Sequence, residues 1–140
     1  MAGQGKAGDG RARTPRGELV RLGKEQQRQA ATQRERIMEA MLETCGALGY
    51  RETSVQDVLD RYGGYRAQFY RHFANKAECY WAAHAAHLDR LCDELLRAAA
   101  AEPTWRHGLR AALRELTRFI GKRPELARGL LVEVHVAGGP

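Results

Sequence analysis

Long apolar runs are missing from this sequence, and so is every side-chain arrangement on which catalysis usually rests. The alanine-rich stretch after Trp81 is broken by Asp89, Arg90, Asp93, Glu94 and Arg97, so no segment is expected to span a bilayer. The first residues are charged and glycine-rich with no apolar block behind them, so they are not expected to act as a signal peptide. Cysteine is scarce: Cys45, Cys79 and Cys92 are odd in number and match no zinc spacing. Neither a disulfide framework nor a zinc finger follows, and a reducing, cytoplasmic setting fits best. No glycine-rich phosphate loop follows a strand, and there is no nucleophile elbow and no recognisable carboxylate pair. The chain is therefore not expected to be an enzyme, and no cofactor or metal is implied. His84 and His87 stand three apart without an acidic or thiol partner at convincing spacing, so they read as solvated or pocket-lining, not as ligands. Strand signals are almost absent. Only Leu130 to Val136 is β-branched enough, and with no second strand to pair with it is assigned to helix.

What the sequence does have is positive charge and helical rhythm. Its 140 residues allow one domain, or a small domain with an extension, and the formal net charge is +6. That balance favours a polyanionic partner, although where the charge sits matters more than its sum. Much of it lies in residues 1–31, where Lys6, Arg11, Arg13, Arg16, Arg21, Lys24 and Arg28 face only Asp9, Glu18 and Glu25. With Leu19, Val20 and Leu22 as its main apolar side chains, this segment is expected to be a flexible basic tail. It suits an arm following phosphates or entering a minor groove, and equally a solvated leader.

Six helices follow. Ile37, Ala40, Met41, Cys45 and Leu48 make one face of a first helix over 32–48, stopped by Gly49, with Tyr50 packing the corner. Thr53 with Gln56, or Ser54 with Asp57, caps a second, whose inner side is Val55, Val58, Leu59 and Tyr62. Gly63-Gly64 ends it. A third runs from Tyr65 or Arg66 to His72, with Phe69 and Phe73 inward. Asn75, with Glu78 as capping partner, opens a fourth with the stripe Trp81, Ala85, Leu88, Cys92, Leu95 and Ala99. On that stripe Cys92 is expected to be buried and inert. Thr104 caps a fifth bearing Trp105, Leu109, Ala112, Leu116, Phe119 and Ile120. Pro124 sits in the first turn of a sixth. Arg106, Arg110, Arg114 and Arg118 recur every four residues as a solvated face.

Two short helices around a tight glycine turn present the second of them outward, as helix-turn-helix units do. The segment after the turn has what a groove-reading helix needs. Phe69 and Phe73 can anchor it, Arg66 and Gln68 have the bidentate geometry for guanine and adenine, and Tyr70, Arg71, His72 and Lys76 suit phosphates.

Between Arg34 and about Tyr80 the sequence resembles the TetR family of transcriptional regulators. The matching residues are Ile37, Ala40, Gly49-Tyr50, Thr53-Ser54-Val55, Asp57-Val58, Gly63, the Phe69-Tyr70-x-His72-Phe73 block and Asn75-Lys76-x-Glu78. The family usually has valine-serine where Gly64-Tyr65 stands and threonine where Gln68 stands, and small alanines near Leu59 and Tyr62. The resemblance implies an all-α protein: a three-helix helix-turn-helix DNA-binding domain (residues 32–75) followed by a partial helical effector and dimerisation domain (76–140). It implies a homodimer on double-stranded DNA, at a palindromic operator, released by a small-molecule effector. Tyr70, His72 and Lys76 would touch the DNA backbone, as would Ser54 or Thr53 at the start of the second helix. Tyr65, Arg66 and Gln68 would face bases. Family members continue for several helices beyond the sixth, so the effector pocket and the usual dimer interface are expected to be incomplete here.

The expected function is that of a sequence-specific transcriptional regulator, a repressor. The alternative is a helical interaction module that pairs with a longer family member and no longer binds an operator alone. Trp81, His84, Leu88, Trp105 and Leu109 are the candidates for an effector pocket, although at helical spacing the two tryptophans more often belong to a core.

Overall fold

The computed structural model describes residues 15–138. They form seven α-helices: α1 (Pro15–Leu48), α2 (Val55–Tyr62), α3 (Arg66–His72), α4 (Lys76–Ala100), α5 (Trp105–Lys122), α6 (Pro124–Leu131) and α7 (Val134–Ala137). The all-α expectation holds for the described residues, and none of their helices is long and apolar enough to cross a membrane. The boundary between two compact units falls after Thr32.

The first unit is helical over part of the segment expected to be a tail. Helix begins at Pro15, within the segment assigned to the tail, while residues 1–14 of it lie outside the described residues. Proline fits a first helical turn, Glu18 offsets the N-terminal dipole, and Gln, Arg, Lys and Ala propagate helix well. Adding such residues to an existing helix avoids the cost of nucleation. That term outweighs the shortage of buried apolar surface, since Leu19, Val20 and Leu22 all remain exposed.

The second unit is built on one core. Ile37, Met41 and Cys45 of α1 pack with Val58 and Leu59 of α2 and with Phe69 and Phe73 of α3. Tyr80 of α4 and Leu126 and Leu130 of α6 belong to the same cluster. A division between residues 75 and 76 therefore separates stretches of chain that share an interior. Where α1 meets α6 the backbones nearly touch. A Cβ on Gly46 would overlap the Glu125 carbonyl, and one on Gly129 the Leu42 carbonyl. The Tyr80 hydroxyl donates to the Gly129 carbonyl at 2.9 Å.

α4 turns a different face inward from the one expected. Cys79, Tyr80, Ala83, His87 and Leu91 are buried, one residue out of step with the predicted stripe. Hydrophobic periodicity discounts tyrosine and histidine, yet each finds a partner here. Tyr80 reaches Gly129, and His87 Nδ1 pairs with the Ala83 carbonyl at 2.9 Å. Cys92 is consequently exposed, against the expectation of a buried thiol. On α5, Gly108 is buried against Ala99 of α4, while Trp105, Leu109 and Ile120 of the predicted stripe stay exposed. The sixth helix stops early. The Glu133 N–H bonds back five residues to Arg128, and its buried carboxylate accepts the Tyr50 N–H at 2.8 Å. That inward swing separates α6 from the short α7.

Candidate nucleic-acid interface

The geometry of α2, α3 and the turn between them follows from local chemistry. Ser54 is the N-cap of α2: its hydroxyl donates to Asp57 Oδ2 at 2.5 Å, and the Ser54 N–H donates to the same carboxylate at 2.8 Å. The Asp57 N–H returns a bond to the Ser54 hydroxyl at 3.2 Å. Of the two capping boxes open in the sequence, Ser54–Asp57 is thus the one formed. These contacts, led by the Ser54 hydroxyl, hold the Asp57 carboxyl below its ordinary pKa. At the other end Gly63 adopts φ 77° and donates to the Leu59 carbonyl at 2.7 Å. A left-handed residue of this kind closes the helix and redirects the chain.

Gly64 lies against the Tyr62 ring, where a Cβ would collide. The glycine in the family's valine position thus makes room for the larger Tyr62. Tyr65 then starts α3 without a side-chain cap. Gln68 compensates by folding back, its Oε1 accepting the Tyr65 N–H at 3.0 Å.

α3 is anchored through Phe69 and Phe73, both buried and packed together with ring centroids 5.7 Å apart. Its other side faces solvent. Tyr65 is 77% exposed, and Arg66, Ala67, Tyr70 and Arg71 are exposed with it. Arg66 is not loose on that surface. Its Nε donates to Gln56 Oε1 at 3.3 Å, and Gln56 Nε2 donates to Asp60 Oδ1 at 2.8 Å. This chain from α2 leaves both terminal guanidinium nitrogens of Arg66 available to a base edge. Sequence reasoning missed Gln56 as a positioning residue and Ala67 as part of the outward face. The four-residue spacing of Gln56 and Asp60 was the available sign of the first. The step of one from Arg66 was the sign of the second.

The remaining expected contacts have varied placements. Tyr70 and Arg71 stand on the exposed face, and the Tyr70 ring meets Phe69 edge-on at 5.3 Å. Thr53 is buried, its hydroxyl donating to the Gly49 carbonyl at 2.8 Å. Ser54 is exposed, although its hydroxyl is already engaged by Asp57. His72 Nε2 lies 2.9 Å from Gln33 Oε1, an acceptor that fixes the proton on this nitrogen. Burial, aided by the Arg34 and Arg71 guanidinium groups, lowers the His72 pKa, so the neutral ring offers nothing cationic to a phosphate at neutral pH. The Lys76 ammonium donates to the Tyr50 and Thr53 carbonyls at 2.8 and 2.9 Å and lies 4.4 Å from the Tyr50 ring centroid. It fastens the corner before α2 to the start of α4.

The five residues expected to form an effector pocket divide into two groups. Trp81, His84 and Leu88 are half-buried on the first half of α4, where the Trp81 and His84 rings meet at 5.7 Å. Trp105, 74% exposed, and Leu109 flank Gly108, which lies beside Ala99 near the other end of α4. At a rise of about 1.5 Å per residue, Ala99 is about 17 Å along the helix from Leu88 and about 22 Å from His84, too far for one small ligand to touch both groups fully.

No curated protein and no solved structure matches the chain. Residues 37–83 match the family model described as bacterial regulatory proteins, tetR family. This span contains most of the second unit's part of α1, all of α2 and α3, the glycine turn and the start of α4. Residues 37–83 thus carry a helix-turn-helix DNA-binding domain similar to that of the tetR family of bacterial transcription regulators.

Proposed function

We propose that the chain is a cytoplasmic repressor that binds a palindromic operator as a homodimer and is released by a small-molecule effector. The observation that carries the DNA-reading part is the outward face of α3, fixed by Phe69 and Phe73 and carrying an Arg66 oriented by Gln56. Base discrimination is assigned to Tyr65, Arg66, Ala67 and the free amide of Gln68. Tyr70 and Arg71 are assigned to phosphates, with Ser54 at the α2 N-terminus in a lesser part. Thr53, His72 and Lys76 act indirectly, by holding the corner and the helix that carry those groups. One copy reads a half-site, and two linked copies gain affinity by acting as one bivalent ligand. The exposed apolar residues Trp105, Leu109, Leu113 and Ile120 of α5 offer surface for such pairing.

Selecting bound duplexes from random DNA, with the mass of the complex measured in parallel, tests this reading. A palindromic consensus bound by two copies supports it. An absence of any consensus, with a single copy bound or none, refutes it and favours the interaction-module alternative.

A further inference from the structure

Between α4, α5 and α6 lies a half-open cavity of about 220 Å³. None of the five residues expected from the sequence lines it. We infer that this cavity binds a small organic carboxylate carrying a hydrogen-bond donor, and that such an anion is the effector of the repressor proposed above. The inference rests on that proposal only for its regulatory half.

The lining has three chemical parts. Leu91, Phe119 and Leu126 supply an apolar wall. Arg90 and Arg123 supply guanidinium groups, with the Glu94 carboxylate on the same rim. His87 supplies an acceptor. It is only 8% exposed, and its Nδ1 is held by the Ala83 carbonyl, which puts the proton there and leaves Nε2 with a lone pair. Nε2 has no protein partner, yet no buried side-chain nitrogen or oxygen is left unsatisfied among the described residues. This nitrogen therefore opens towards the cavity that His87 lines. Burial, with Arg90 and Arg123 nearby, also disfavours the imidazolium form. An apolar body, a carboxylate for the arginines and a hydroxyl for His87 Nε2 and Glu94 describe one compact molecule. The volume falls below the range for drug-sized ligands, which limits the body to about one ring.

The same arginine connects the cavity to the DNA-binding helices. Arg123 binds Glu39 and, at 2.6 Å, Glu43, both on α1. Glu43 also pairs with Arg61 of α2 at 3.4 Å, and Arg61 reaches Glu125 of α6 at 2.6 Å. An anion that takes donors from Arg123 competes directly with the α1 carboxylates. It thereby loosens the link by which α6 holds α1 and α2.

The test titrates the full chain with 2-, 3- and 4-hydroxybenzoate and with their uncharged methyl esters, following binding by calorimetry and by ligand-observed NMR. The site predicts that at least one acid binds ten times or more tightly than its ester. It predicts that R90Q, a change at an exposed rim position, weakens that acid tenfold or more, with the thermal melt of each variant confirming its fold. No binding by any acid, equal binding of acid and ester, or an unaltered affinity in R90Q overturns the assignment. Repeating the titration on the operator complex separates the two halves. Acid binding that leaves DNA affinity unchanged keeps the site and refutes its regulatory role. Intact operator binding with no acid bound refutes the site alone.

Discussion

Arg66 shows how much of the candidate site depends on one neighbour that hydrophobic pattern cannot reveal. Its place on the outward face of α3 was legible from the Phe69 and Phe73 spacing. Its orientation was not, because Gln56 reaches it across the turn from another helix. Replacing Gln56 by alanine is expected to relax preference at the base pair read by Arg66 by about 1 kcal/mol, the low end for a bidentate contact, with little change in non-specific affinity. Binding to single-base operator variants measures this. His72 and Lys76 have placements that were illegible for a related reason. Both have the right residue type for phosphate, but each is drawn into an internal bond that sequence spacing does not expose. Cysteine reactivity follows burial. Burial pushes the Cys45 thiol up to about 11 and raises Cys79 as well, whereas Cys92 is exposed. A thiol reagent should modify one cysteine of the native chain and all three after unfolding. Cys92→Ser should abolish the native reaction, and prompt modification of three in the native state would refute the buried placement.

At the level of elements, most helix boundaries could be read because capping chemistry is local. Ser54, Asn75 and Thr104 stand at the helix starts their residue types suggest. Gly63 and Pro124 mark a stop and a start in the same way. The faces were harder. α4 sits one residue away from its apolar stripe because Tyr80 and His87 satisfy their polar atoms inside. The glycines of the α1–α6 crossing could not be assigned a purpose from sequence, since close backbone approach leaves no pattern. Gly129→Ala and Gly46→Ala should each destabilise the fold by about 1–3 kcal/mol through overpacking, as measured by urea melts. The turn makes a separate prediction. Gly64→Ala should cost about 1–2 kcal/mol by crowding the Tyr62 ring, and adding Tyr62→Ala should recover part of that loss. Strict additivity of the two changes would contradict the contact.

Across the whole molecule, the second unit ties DNA-binding helices and C-terminal helices into one core, so protonation in either part affects the stability of both. His72 and His87 both have pKa values below the usual 6.5, chiefly through burial. Below that value the unfolded chain takes up protons that the folded chain resists. Stability is therefore fully present above pH 6.5 and declines as pH falls towards 5. The Asp57 carboxyl, held below 3.8, acts only at still lower pH. Melting temperatures between pH 7 and 5 should fall, and His87→Gln should flatten that fall; a flat profile for the parent chain would contradict both assignments. The central claim is that α3 enters a DNA groove with distinct base-reading and phosphate-holding sides. A salt-dependent binding titration on a selected operator, comparing the parent chain with Arg66→Ala and Arg71→Ala, tests it most directly. Arg66→Ala should lose about 1–3 kcal/mol of sequence discrimination. Arg71→Ala should keep its preference while the slope of log K against log salt drops by about one. If both variants bind as the parent does, with the same preference and the same slope, α3 is not the helix that meets DNA.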